Sequence, residues 1–390
     1  MANLMINRRG FLTAACSLAA APLLTPATFA ATPGENRFVT ILLRGAMDGL
    51  WLVQPYGDAN LKRWRPDFAL DPSTGLFDLD GYFGFHPEAG ALNALYKDGE
   101  LAIVNAVSTP YRNTRSHFDG QDMLETGGER VNEERSGWLN RALSLIPRTA
   151  AARAIDVHSS AELILTGPNR VDVWSASTDL AVSADDIAFL ERLYRGDAAF
   201  AKAMAETLEA DRGADAVFGD DARGDRTGDM ARLTAGMLKG DYRIASFSIN
   251  GWDTHVGQAR VFNRPLRSLT ESLTILKHDL GPEIWKNTTV LAMTEFGRTV
   301  RQNGSKGTDH GTGGLALIAG GAIAGGKVFG KWPGLAESQL LENRDLAPTG
   351  DLREIAAHLL SAQFGIAKGD LATKVFPGLD FSIGKPGYLR

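Results

Sequence analysis

Acidic and histidine side chains gather in a few short stretches: "LLRGAMDGL", "INGWDTHVGQ", "AMTEFGR" and "GTDHGTGG". In the second, Asp253 and His255 stand two apart, so an extended backbone sets them on one face, a workable bite for one cation. A plainer role is also open, with Asp253 capping a helix from about Val256 and His255 packed on Trp252. Glu295 ends an apolar run, where a carboxylate is costly unless it is paired or metal-bound; Arg298, three residues on, is one available partner. Asp309 and His310 are adjacent and cannot share a strand face. A glycine loop can turn both inward, although an Asx turn with a surface histidine fits as well. Upstream, "RNTRSHFDGQD" puts Ser116 and His117 at a helix start. Ser116 either caps that helix or offers its hydroxyl where backbone N–H groups and Arg115 would hold a transferred anionic group.

The chain has seven histidines and one cysteine, Cys16. Cys16 lies in an N-terminal segment expected to be removed, which leaves no disulfide and no thiolate ligand. A metal would therefore be held by His, Asp, Glu or backbone oxygen. Such mixed ligands favour Zn or Mn, with Ca or Mg also open. "GAIAGGKV" lacks the Ser or Thr of a phosphate loop, and no G-x-G-x-x-G turn follows the first strand. His86 reads as a helix-entry residue, and His278 and His358 as structural.

The elements that must position these groups alternate in type. "RFVTILLRGAMDGL" reads as a buried strand, Val39 to Leu43, running into a glycine turn. "HPEAGALNALYKDGELAIVNAV" reads as a helix closed by Gly99, then a strand from Leu101 to Val107. A helix runs from near Ser116 to Gly127. "YRIASFSING", "TTVLAMTEFG" and "GLALIAGG" read as further apolar strands, with "TESLTILKHDLGPEIW" and "DLREIAAHLL" as helices. About 185–240 reads as a polar helical insertion. Strands alternating with helices predict an α/β fold, a largely parallel sheet sandwiched between helices, with functional groups where strands end.

The first 30 residues stand apart. Arg8 and Arg9 precede an alanine-rich apolar run ending in small residues near Ala30, which predicts a twin-arginine signal peptide. The expected organisation is residues 1–30 as signal and 31–390 as one domain. It would be carried by the twin-arginine export machinery to the periplasm or outside the cell. Beyond that segment no run approaches the roughly 20 apolar residues of a membrane span. The formal net charge of −5 becomes −7 without Arg8 and Arg9, and no basic block offsets it, which argues against nucleic-acid binding.

Taken in order, the twin-arginine start, "LLRGAMDGL", "RSHFDGQDMLETG", "GWDTH", "TEFGR", "GTDHGTGG" and "GGKVFGKWPGL" resemble the bacterial domain of unknown function 1501 family. The likeness covers nearly the whole mature chain. That family looks like a branch of the alkaline phosphatase and sulfatase superfamily. The resemblance implies a metal site at the strand ends, with Ser116 as nucleophile and Arg115 as anion clamp. Asp253, His255 and His310 would be metal ligands, with Asp48 or Glu295 in support. Phe296 stands where the superfamily would place a further histidine. The function so implied is an exported metal-dependent hydrolase acting on a small anionic phosphate, sulfate or related ester. The alternative is an exported binding or assembly protein that keeps the fold without the chemistry.

Overall fold

Alternating burial along the first strand explains the layering. In β1 (Arg37–Arg44), Val39, Ile41 and Leu43 face one apolar cluster while Phe38 and Leu42 face another. A strand buried on both faces belongs at the centre of a sheet covered on each side. The computed structural model describes residues 35–112, 114–146, 153–157, 162–174, 227–381 and 384–390. The signal segment 1–30, His158 and all of the expected helical insertion before 227 lie outside the described residues.

Three short strands, β2 (Val53–Gln54), β3 (Phe77–Asp78) and β4 (Gly84–Phe85), form a small separate sheet. The main sheet collects β5 (Leu101–Ser108), β6 (Arg153–Val157), β7 (Asp172–Trp174), β8 (Tyr242–Asn250) and β9 (Thr288–Met293) with β1. A hairpin of β10 (Arg298–Gln302) and β11 (Thr308–His310) stands off it. β12 (Gly314–Ala319), β13 (Val328–Phe329) and β14 (Gly350–Asp351) complete the set. The main order is β13-β5-β12-β9-β1-β8-β6-β7, with β14 also on β5. Every pairing in it is parallel except those of β12 with β5 and β9. The expected mostly parallel sheet is thus present, with one reversed strand.

Helices cover both faces. The long helix Asn263–Trp285 turns Leu266, Leu269, Leu273, Leu276 and Leu280 onto the face of Val39 and Ile41, a three-and-four spacing that makes one apolar stripe. It breaks at Gly281, where φ is +70° and Pro282 follows. On the other face the helix Leu352–Phe364 packs Leu352, Ile355, Ala356, Leu359 and Leu360. Asp351 caps it by accepting from the Arg353 N–H. No helix among the described residues is long and apolar enough to cross a membrane.

β9, β1 and β8 are adjacent and parallel, so their carboxyl ends open on one side. Arg44, Asn250 and Met293 close these strands, and "LLRGAMDGL", "INGWDTHVGQ" and "AMTEFGR" each begin within a few residues of one of these ends, whereas "GTDHGTGG" arrives on the hairpin. Gly45, at φ +115°, lets the loop after β1 approach the loop after β8: a Cβ there would lie 2.6 Å from the Asp253 nitrogen.

Candidate metal centre

Three imidazoles converge on one carboxylate. Asp253, three residues beyond β8, lies with Oδ1 3.0 Å from His255 Nε2 and 3.2 Å from His310 Nε2. The two Nε2 atoms are 2.9 Å from each other. Ligand atoms about 2.0–2.1 Å from a tetrahedral ion lie roughly 3.3 Å apart, so this triangle has nearly the edge lengths of a coordination face. The third imidazole is His117, the first residue of the helix His117–Thr126. Its Nε2 is 3.5 Å from Asp253 Oδ2 and is buried without a hydrogen-bond partner among the described residues. His117, Asp253 and His310 offer ligand atoms that all lie within 4.8 Å of one another.

Each ring is fixed from behind. His117 Nδ1 meets Glu295 Oε1 at 2.8 Å, His310 Nδ1 meets the Arg115 carbonyl at 2.8 Å, and His255 Nδ1 meets Asp309 Oδ1 at 3.3 Å. An oxygen acceptor at Nδ1 selects the tautomer that bears its proton there and leaves the Nε2 lone pair facing Asp253. Metal-ligating histidines are held in this way. The donor set and the orphaned buried nitrogen of His117 therefore fit a divalent cation.

The supports are themselves anchored. Glu295 is fully buried, two residues beyond β9, and accepts from the Gly45 N–H at 2.9 Å and the Thr294 hydroxyl at 2.8 Å. Burial pushes its pKa up, but His117 and these donors outweigh it and hold the carboxyl below its usual range. The bond to Glu295 in turn raises His117, whereas burial lowers His310. Asp253 is pushed up by partial burial and down by Arg298 and the histidines, and the second effect wins. Arg115 holds a left-handed backbone, φ +52°, a conformation that costs a non-glycine residue about 1–3 kcal/mol. That backbone carries the carbonyl that receives His310.

Arg298 ties the surrounding loops together from a fully buried position. It donates to the carbonyls of Ala46 at 2.7 Å, Gly45 at 2.7 Å, Thr308 at 3.0 Å and Trp252 at 3.2 Å, and to Asp253 Oδ1. Its partner is thus Asp253 and not Glu295. Phe296 is buried in the histidine slot that the resemblance implied. It stacks on His117 at 5.3 Å between centroids and lies 5.1 Å from the His310 ring.

Several expectations are corrected. Asp48 is not brought to the centre: its buried Oδ2 accepts from Arg65 Nη1 and Gln258 Nε2, each at 2.7 Å, and Oδ1 caps the helix Gly49–Leu52. Glu295 supports His117 and does not itself face the triangle. The Arg115 guanidinium is engaged by Asp345 at 2.9 Å and Glu342 at 2.8 Å, so its contribution here is its carbonyl and not a clamp. Ser116 stands at the N-cap position, but its hydroxyl makes no capping bond. Within "GTDHG", Thr308–His310 is a short strand and not a loop, and Asp309 and His310 meet different nitrogens of His255. The sequence places His117 only at a helix start, and its position one residue after Ser116 is the signal that points to it.

Residues 83–376 match the sequence model of a family described as protein of unknown function (DUF1501). The chain belongs to the DUF1501 family. None of the curated proteins matches it. Among solved structures, this DUF1501 chain is similar to a protein in the alkaline phosphatase superfamily from Vibrio parahaemolyticus. That match has 12% identity and a TM-score of 0.38, over 96% of this chain and 80% of the other. It is also similar to the C-terminal periplasmic domain of EcEptC from Escherichia coli, solved in complex with Zn, at 8% identity and a TM-score of 0.33 over 77% of each. A third likeness is to the lipoteichoic acid synthase LtaP from Listeria monocytogenes, at 9% identity and a TM-score of 0.26, over 72% and 61%. Likenesses this loose carry no argument about the DUF1501 centre, which rests on its own geometry.

Proposed function

We propose that this protein is an exported metal-dependent hydrolase acting on a phosphate, sulfate or related anionic ester. The observation that carries the reading is the set of three imidazoles, each held at Nδ1 by an oxygen and each turning Nε2 toward Asp253. Zn or Mn suits these nitrogen and oxygen donors better than Ca or Mg. A divalent cation so held supplies Lewis acidity toward the ester and acidifies the attacking hydroxyl. His255, His310 and Asp253 would hold it, with His117 as the further donor on the side of the helix His117–Thr126. Glu295, Asp309 and the Arg115 carbonyl keep the rings in register. Ser116, one residue from His117 and without a capping bond, is the nucleophile in this reading.

A second reading is favoured by Asp48 and Arg115, whose charges are spent on Arg65 and on Asp345 and Glu342. In it the protein binds a metal and an anionic partner without turnover. Elemental analysis of the purified mature chain, followed by a panel of aryl phosphates and sulfates, separates the two. Metal with turnover supports hydrolysis, metal alone supports binding, and neither contradicts both.

The site of action belongs to the same proposal. Arg8 and Arg9 ahead of the apolar run support export by the twin-arginine route to the periplasm or beyond.

A further inference from the structure

Asp345 is fully buried and closes a turn in which it exchanges both backbone hydrogen bonds with Leu341 at 2.9 Å. Its side chain is held as firmly as its backbone. Oδ2 accepts from Arg115 Nη2 at 2.9 Å, from Arg115 Nε at 3.1 Å and from the Thr312 hydroxyl at 2.8 Å. Oδ1 accepts from Arg344 Nη1 at 2.8 Å. A buried anion with its lone pairs so filled is a rigid anchor, and charge-assisted bonds are the stronger kind.

The two residues that share Oδ2 bracket one metal-ligating ring. Thr312 lies two residues beyond His310, and the Arg115 carbonyl accepts from His310 Nδ1 at 2.8 Å. The contacts therefore close a ring. It runs from His310 Nδ1 through the Arg115 carbonyl and guanidinium to Asp345 Oδ2, then back through the Thr312 hydroxyl and two peptide units. Within that ring Arg115 keeps its left-handed backbone, φ +52°, a strain that persists only where the surroundings hold it. Glu342, the other carboxylate on this guanidinium, is 56% exposed and so contributes little.

We infer that Asp345 is a positioning residue of the metal centre, which aims His310 Nε2 by fixing Arg115 and Thr312. This rests on the metal-centre reading and adds a residue that acts on the ion only through others. Asp345→Asn keeps the volume and removes the charge. Its zinc dissociation constant, measured by competition with a chromogenic chelator, should rise about tenfold, and the visible band of the cobalt-loaded protein should shift. Leu276→Ala, a cavity in the core under the long helix, lowers stability without touching the ring. At a temperature where it is folded it should keep the wild-type zinc affinity and cobalt band. Arg115→Gln should match Asp345→Asn, and the double variant should fall well short of the product of the two losses. If Asp345→Asn does not fold, Arg115→Gln against Leu276→Ala carries the same comparison. Wild-type affinity and cobalt band in the folded ring variants, equal losses in Leu276→Ala, or losses that multiply in the double variant would overturn the inference and leave the metal centre standing. A wild type that binds neither zinc nor cobalt would overturn both.

Discussion

Arg298 and His117 decide the centre at the level of single residues. Arg298 satisfies four backbone carbonyls and Asp253 with one planar fork, a task a lysine's single ammonium cannot repeat. Arg298→Lys should therefore lower stability by about 2–4 kcal/mol, read by chemical denaturation, and weaken metal binding with it. Glu295→Gln keeps the shape of its side chain but removes the charge behind His117, and should cost roughly 10–100-fold in metal affinity. In chelated protein the same pair sets a pH dependence. His117 is raised, so its contribution is complete below about 6.5 and lost as pH rises through its folded value. Glu295 is lowered, so its contribution is present above about 4.3 and lost as pH falls through its folded value. Stability from the pair should peak between those limits, and Glu295→Gln should flatten the peak in melts across pH.

At the level of elements, strand ends and a hairpin assemble what the chain keeps far apart. Apolar runs and glycine stops are local signals, so β1, β5, β8, β9 and the helix His117–Thr126 were legible in the sequence. Asp253, His255 and His310 could be named because they follow such runs. The hairpin could not, because "GTDHG" is too short and glycine-rich for periodicity, and its strand character comes from pairing with Arg298–Gln302. The roles of Arg298, Asp48 and Arg115 depend on partners tens to hundreds of residues away, beyond the reach of spacing. At the carboxyl end of β1 lies another long-range feature, Arg44 paired with the buried Glu125 and Glu162, with the buried Asp156 accepting from the Glu162 N–H. Burial and the neighbouring Glu162 push Asp156 well above the carboxylate range, and its Oδ1 has no hydrogen-bond partner among the described residues. A raised carboxyl costs stability as pH rises above its unfolded value. Asp156→Asn should accordingly stabilise the protein by at least about 1 kcal/mol at pH 8 and by less at pH 5, as read by thermal melts.

For the whole molecule, a metal that binds only the folded chain must stabilise it. Zinc at about a hundred times its dissociation constant should add about 2.7 kcal/mol, visible as a higher Tm that chelation reverses. Arg8→Lys with Arg9→Lys should leave the precursor in the cytoplasm, read by fractionation, if the chain travels folded by the twin-arginine route. The central claim is that three positioned imidazoles and Asp253 hold a divalent cation, and metal content tests it most directly. Elemental analysis of the mature protein, side by side with His310→Ala and Asp253→Ala, should find stoichiometric Zn or Mn in the wild type and little in either variant. A well-folded wild type that retains no divalent metal after loading and desalting, or variants that retain as much, would contradict it.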